Sequence, residues 1–168
     1  MIETKYCKRC DRVLSINQFS NDKKTKDGYA FYCKECCNET AKNYRDSPSG
    51  IYQLLKGRQT YLHKRNDSRS KPFNLTREEF IKWYQKQKLK CGYCDIPQDK
   101  WYLMAEKYGS NWFRLTVDCM DNDTGYTVDN LILACAKCNL IKQNILTHDE
   151  MYYIGQNFIK PKWQALTS

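Results

Sequence analysis

Hydrophobic positions in this chain come in short runs, and none approaches the roughly 20 apolar residues that a membrane span needs. Residues 38–49 read as a short polar helix that ends in the breaker cluster Ser47-Pro48-Ser49-Gly50. Ile51, Leu54, Leu55, the stem of Arg58 and Leu62 then recur at helical spacing, with Lys56, Lys64 and Arg65 on the other face. Thr76-Arg-Glu-Glu79 is a capping box. It predicts a helix with Phe80, Trp83, Tyr84 and Gln87 on one face, where Trp83 and Tyr84 read as core packing in preference to base stacking. Gln98 to Tyr108 fits a helix, broken by Gly109-Ser110-Asn111, with no functional reading. Two strands follow, Leu115–Asp118 and Leu131–Ala134, joined through the turn Asp121–Gly125. A helix from Ala136 would put Asn139 and Lys142 one turn apart. Thr147-His-Asp-Glu150 is a second capping box, starting a helix with Met151, Ile154 and Phe158 inward; Pro161 would stop it and Trp163 would dock back.

Composition narrows the class. A chain of 168 residues with a mean hydropathy of −0.81 has room for one compact domain or two very small ones, and little for a large core. Ten cysteines call for disulfides or metal. The start, Met1 to Cys7, carries no apolar signal segment, which predicts a reducing, intracellular and cytoplasmic setting, no membrane partner, and cysteines used as thiolate ligands. The net charge of +9 is unevenly spread: residues 50–90 hold eleven basic and three acidic side chains, whereas residues 91–168 are mildly acidic. Such a basic middle suits a segment that grips nucleic acid, with Lys56, Arg58, Lys64, Arg65, Arg69 and Lys71 as candidate contacts; a solvated surface is the alternative.

The cysteines carry the strongest spacing signal. Cys7-Lys-Arg-Cys10 and Cys33-Lys-Glu-Cys36, 22 residues apart, form one pair of CxxC knuckles, which together offer a tetrahedron of thiolates for a closed, structural zinc. Cys37 competes with Cys36, but CxxC spacing favours Cys36. Cys91-Gly-Tyr-Cys94 and Cys135-Ala-Lys-Cys138 form a second set around 40 intervening residues. Between these two pairs, Asp118 and Asn139 are hard oxygen donors of the type a divalent ion such as Mg²⁺ prefers; they also fit as caps of a turn and a helix.

Asp118 to Lys142 resembles the ββα-metal, or HNH, nuclease motif, in a version reading V-D-x-x-D, then G-Y, then N, then C-x-x-C-N-x-x-K. A restriction-enzyme branch of that family also shares the N-terminal CxxC pairs, the Phe80-x-x-Trp83-Tyr84 helix, Cys91-Gly-Tyr-Cys94 and the segment from Glu150 to Trp163. The resemblance implies an α+β, zinc-stapled fold that hydrolyses phosphodiester bonds of double-stranded DNA at specific sites, with two structural zincs and one catalytic divalent ion. It implies metal ligation by Asp118 and Asn139, bracing of the hairpin loop by Asn130, and Tyr126 in place of the family's histidine base or as nucleophile. Lys142 would tune Tyr126 or hold phosphate. The residue after Asp118 is His in most of the family and Arg in this branch, but Cys119 here; His63 and His148 lie outside the motif.

The chain is thus expected to divide into an N-terminal zinc motif (1–46), a basic DNA-contacting segment (47–90), the catalytic core (91–146) and a C-terminal helix (147–168). A restriction-like or mobile-element enzyme of bacterial or phage origin fits, working as a homodimer because one site per chain cuts one strand. The rival from another class is a non-catalytic zinc-finger DNA-binding protein with a degenerate site, to which Cys119 lends weight. An RNA-binding zinc protein is weaker, since no aromatic run forms a stacking platform.

Overall fold

The structure, a computed structural model, describes residues 3–107 and 114–167. The expected helix break at Gly109-Ser110-Asn111 lies outside the described residues. The chain separates into two compact units, Met1–Ile51 and Tyr52–Ser168.

The first unit is two small hairpins and a helix. β1 (Thr4–Cys7) pairs antiparallel with β2 (Arg12–Ser15), and β3 (Phe19–Asn21) pairs antiparallel with β4 (Tyr29–Cys33). The β3–β4 turn closes at Asp27-Gly28, where Asp27 Oδ1 accepts the Tyr29 N–H. α1 (Lys34–Asp46) leaves directly from β4. The core of this unit is Phe19 with Cys7, Cys33 and Cys36, flanked by Cys10, Leu14 and Tyr29. So small a core leaves the unit dependent on what the thiols bind.

α1 ends at Asp46 with Ser47 in extended conformation, where the sequence places its breaker cluster, and Pro48 at once starts a new helix, α2 (Pro48–Lys64). Proline is favourable at the first helical position, where its missing N–H has no partner to lose, and Ser47 Oγ caps by accepting the Gly50 N–H at 3.2 Å. The buried face of α2 is also displaced from the expected one. Tyr52, Gln59 and Leu62 point inward with Ile51, whereas Leu54 and Arg58 are exposed. Tyr52 decides the phase: its ring packs on Phe73 and Phe80, and its hydroxyl donates to the Leu75 carbonyl.

In the second unit, α3 (Arg77–Gln85) begins at the capping box formed by Thr76 and Glu79, an arrangement worth about 1 kcal/mol at a helix start. Phe80 is fully buried, and the half-buried Trp83 and Tyr84 pack their rings against it. α4 (Gln98–Lys107) follows the Cys91–Cys94 knuckle. β5 (Thr116–Cys119) and β6 (Leu131–Ala134) pair antiparallel, with Asp118 opposite Ile132, and α5 (Ala136–Lys142) leaves β6 through Cys135.

α6 (His148–Ile154) starts at the Thr147–Glu150 capping box. Pro161 does not end this region. A π-turn at Gly155–Ile159 returns the Lys160 N–H to the Gly155 carbonyl, and α7 (Lys160–Thr167) continues beyond it. Pro161 therefore falls in the first turn of α7, where a missing N–H costs least. The π-turn shifts the helical register by one residue, which leaves Phe158 exposed instead of inward, while Met151 is fully buried. Trp163 does dock back, its indole N–H donating to the Cys94 carbonyl at 2.9 Å. Asp95, beside the knuckle, is held down to about 2 by Lys160 and then Lys90, and so ties α7 to the knuckle. No helix among the described residues is long and apolar enough to cross a membrane.

Candidate metal centres and active site

Both predicted cysteine sets come together. The Sγ atoms of Cys7, Cys10, Cys33 and Cys36 lie within 4.8 Å of one another, as do those of Cys91, Cys94, Cys135 and Cys138. Neighbouring sulfurs stand 3.9–4.0 Å apart. A tetrahedron with Zn–S bonds of 2.3 Å has an edge of roughly 3.8 Å, so each cluster could hold zinc. Cys37 is exposed and outside the first cluster, its thiol facing the Tyr32 carbonyl. In that cluster the Cys33 backbone N–H donates to Cys7 Sγ and draws the Cys7 thiol down to about 6, towards the thiolate a metal needs. In the second cluster Cys135 caps α5, its sulfur accepting the Cys138 N–H. The Cys91–Cys94 knuckle lies close on β6: Gly92 N–H donates to the Leu133 carbonyl, and a Cβ on Gly92 would meet the Ile132 side chain at 2.4 Å.

The candidate active site lies on one face of β5. Thr116 and Asp118 are two residues apart on the strand and so share a face. α5 crosses them with Asn139 and Lys142. Asn139 Nδ2 donates to Thr116 Oγ1 at 3.0 Å, which leaves the amide oxygen available to a cation. Lys142, 0 % exposed, donates to the Cys119 carbonyl and to Asn122 Oδ1, and its Nζ lies 3.7 Å from Asp118 Oδ2. Asp118 is 4 % exposed. Its Oδ2 also accepts the Tyr93 hydroxyl at 3.1 Å, whereas Oδ1 faces the ammonium of Lys71, 4.0 Å away. Burial, then the charge of Asp118, pushes the Tyr93 phenol far up, so it donates as a neutral hydroxyl. The donor set is hard oxygen, and Lys71 already places a positive charge at Oδ1, which fits a Mg²⁺-like ion.

Asn130 closes the loop between the strands. Its amide donates to the carbonyls of Asp121 and Gly125, both at 2.7 Å, and its Oδ1 accepts the Asp121 N–H. Gly125 has φ of +71°, and a Cβ there would meet the Pro72 carbonyl at 2.4 Å. Next to it, Tyr126 N–H donates to the Pro72 carbonyl and Tyr126 C=O accepts from Asn74. The Pro72–Asn74 segment is thereby stitched to the hairpin loop, and Phe73 packs on the Tyr126 ring. Tyr126 is buried; burial, then Cys119 and Asp118, hold its phenol above the usual range, while Arg58 and Gln59 pull the other way. Cys119 is fully buried, and desolvation is the main cause that pushes its thiol up to about 12.

The six candidate DNA contacts separate. Lys56, Arg58, Lys64 and Arg65 are exposed, but not as one stripe: Arg58 lies on a different flank of α2 from Lys56 and Lys64, and Arg65 follows in the turn just past its end. Arg69 is tied to Asp67 in its own loop by two guanidinium hydrogen bonds and one from its backbone N–H. Lys71 is largely buried beside Asp118, and it also lines a cleft of about 690 Å³ with Lys56, Gln59, Thr60 and His63. Sequence reasoning missed Tyr93, Asn122 and Thr116. The alternation of β5 could have pointed to Thr116; nothing local marks the other two.

The hairpin and the helix across it, with two four-cysteine clusters that could hold zinc, define a ββα-metal, or HNH, fold. No family model matches the chain, and no curated protein matches it. Among solved structures it is similar to PacI, a rare-cutting HNH restriction endonuclease that perturbs DNA. The two are 26% identical with a TM-score of 0.56, over 96% of this chain and 97% of that one.

Proposed function

We propose that this protein is a site-specific HNH endonuclease that hydrolyses phosphodiester bonds of double-stranded DNA with one catalytic divalent ion. The observation that carries the reading is the buried Asp118 carboxylate on β5, with Asn139 and Lys142 of α5 over the same hairpin face. Asp118 Oδ1 and the Asn139 amide oxygen would hold the ion. When bound, such an ion stabilises charge developing on the scissile phosphate and the leaving 3′-oxygen. Tyr93 and Lys142 orient Asp118 through Oδ2. Asn130 fixes the loop that carries Tyr126. Zinc in both four-cysteine sites would be structural, since neither has an open ligand position. A homodimer would supply one site per strand. Incubating the protein with a plasmid library and Mg²⁺, then sequencing the ends, tests the reading; intact DNA at every condition overturns it.

Tyr126 is the residue proposed to take the proton from the attacking water. It is a neutral phenol at pH 7, and with Asp118 charge-balanced one of the influences that hold it up is removed. Tyr126→Phe is expected to slow cleavage by a factor of about 10²–10⁴. Because the group must lose its proton to act, the wild-type rate should climb from about pH 7 to 9, a climb that Tyr126→Phe should lack. Cys119→Ser should change little, since a buried neutral thiol neither takes a proton nor meets solvent. Full activity in Tyr126→Phe with loss in Cys119→Ser would reverse the assignment.

The basic residues of α2 should make DNA binding strongly salt-dependent. Each phosphate contact adds roughly −0.9 to the slope of log K against log salt. Neutralising Lys56, Arg58, Lys64 and Arg65 together should flatten the slope, and treating the Arg58/Arg65 and Lys56/Lys64 pairs separately shows which one meets DNA. An unchanged slope would mean that α2 faces solvent in the complex.

The second reading, a DNA-binding zinc protein that does not cut, is favoured by one observation: Cys119 is neutral and buried at the position where a basic residue is expected.

A further inference from the structure

Two lysines and one carboxylate meet at the candidate site, and the charges do not balance. Lys142 is locked: it is wholly buried, donates to the Cys119 carbonyl and Asn122 Oδ1, and lies beside Asp118 Oδ2. Lys71 is held differently. Its ammonium donates to the same Asn122 Oδ1 at 2.5 Å but stands 4.0 Å from Asp118 Oδ1, a loose ion pair. Its side chain keeps 12 % exposure and lines the cleft beside α2, so it opens outward where Lys142 does not. Its backbone is fixed: Gln59 Oε1 accepts the Lys71 N–H at 2.8 Å, and Pro72 is bonded to the Tyr126 loop. The result is a cationic head only loosely paired with Asp118, on a backbone held on both sides, at the rim of the site.

We infer that Lys71 supplies the phosphate-contacting charge that Cys119 does not, leaving Asp118 Oδ1 when a divalent ion binds there and turning to the scissile phosphate. This rests on the endonuclease reading above. Two cations cannot share one carboxylate oxygen without strong repulsion, so occupation of Oδ1 expels the more weakly held ammonium. Lys71 is that one, because Lys142 has its own carbonyl partner and no path to solvent. The cleft's own carboxylate, Asp67, is already bound by Arg69, so a phosphate anion is the acceptor left for a displaced ammonium there. The charge at the site, two lysines and the ion against a single carboxylate, also calls for an anion to complete it.

The test uses the full chain with its zinc content verified. Lys71→Met is expected to lower the cleavage rate about 10²-fold or more, the usual loss for one donor to developing charge, while Lys71→Arg stays within about tenfold of wild type. A second readout does not need cleavage. With Ca²⁺ in place of Mg²⁺, the salt slope of DNA binding should be shallower by about 0.9 in Lys71→Met than in wild type, and without divalent ion the two slopes should agree. Equal slopes with Ca²⁺, or wild-type cleavage by Lys71→Met, would overturn the inference. Slopes that differ equally with and without the ion would also overturn it, since Lys71 would then be an ordinary DNA contact. If the wild-type protein cuts no DNA, the endonuclease reading fails and the Ca²⁺ slopes alone decide the role of Lys71. Melting temperatures of both variants separate these results from a folding defect.

Discussion

Asp118→Asn is expected to abolish Mg²⁺-dependent DNA cleavage, with a loss of at least roughly 10³-fold, while both zinc sites stay filled. A bound ion contributes several kcal/mol to stabilising the transition state, and each 1.4 kcal/mol is about a factor of ten. The asparagine keeps the shape of the side chain and one acceptor for the Tyr93 hydroxyl, but it removes the only negative charge in the Asp118–Lys71–Lys142 group. Lys142 would lose a charge partner inside the protein; its bonds to the Cys119 carbonyl and Asn122 limit the damage, so the variant should melt lower yet fold. Asn139→Ala should show the same loss of cleavage with a smaller stability change, because it removes a neutral hydrogen bond to Thr116 and leaves no buried charge without its partner. Cleavage rates, elemental zinc and melting temperature measured together check this. Cleavage at the wild-type rate by either variant would mean that the ion is held elsewhere.

Loss of either zinc is expected to unfold the unit that holds it. Elemental analysis should return about two zinc ions per chain, since each closed four-thiolate site holds one. Structural zinc contributes about 10–16 kcal/mol in small domains, as much as the whole net stability of a typical one. In the second unit Cys135 both joins the cluster and caps α5, so Cys135→Ser should free the helix that carries Asn139 and Lys142. The first unit is more exposed to such loss, because three of the four residues at its centre are ligand cysteines. Chelator at raised temperature should therefore remove the circular dichroism of folded protein. Zinc near zero in a folded protein with oxidised cysteines would contradict this.

Local chemistry made much of the architecture legible. Each capping box needs only four consecutive residues, and Thr76–Glu79 and Thr147–Glu150 start their helices where the pattern places them. CxxC spacing is likewise local, and the tetrahedral demand of zinc pairs the knuckles without knowledge of the intervening fold. The strand–turn–strand–helix from Thr116 to Lys142 is continuous in sequence, so the positions of Asp118, Asn130 and Asn139 along it could be read directly.

Helix phase and helix ends were less secure, because packing overrides local pattern. Pro48 starts a helix once Ser47 caps it, Tyr52 rotates α2 to reach Phe73 and Phe80, and the π-turn carries Pro161 through without a break. The surroundings of Asp118 came only from tertiary structure. Tyr93 reaches it across 25 residues of chain, and Lys71 meets Asn122 across 51. The Lys71 encounter depends on the Pro72–Tyr126 backbone bond and on a glycine at 125 that lets the two segments touch. Sequence alone thus determined the two four-cysteine clusters and the hairpin that carries the candidate site, since their spacing is set by bond geometry along the chain. Only the folded structure decided which cations surround the buried carboxylate, since charges distant in sequence are brought together by burial and by close backbone approach.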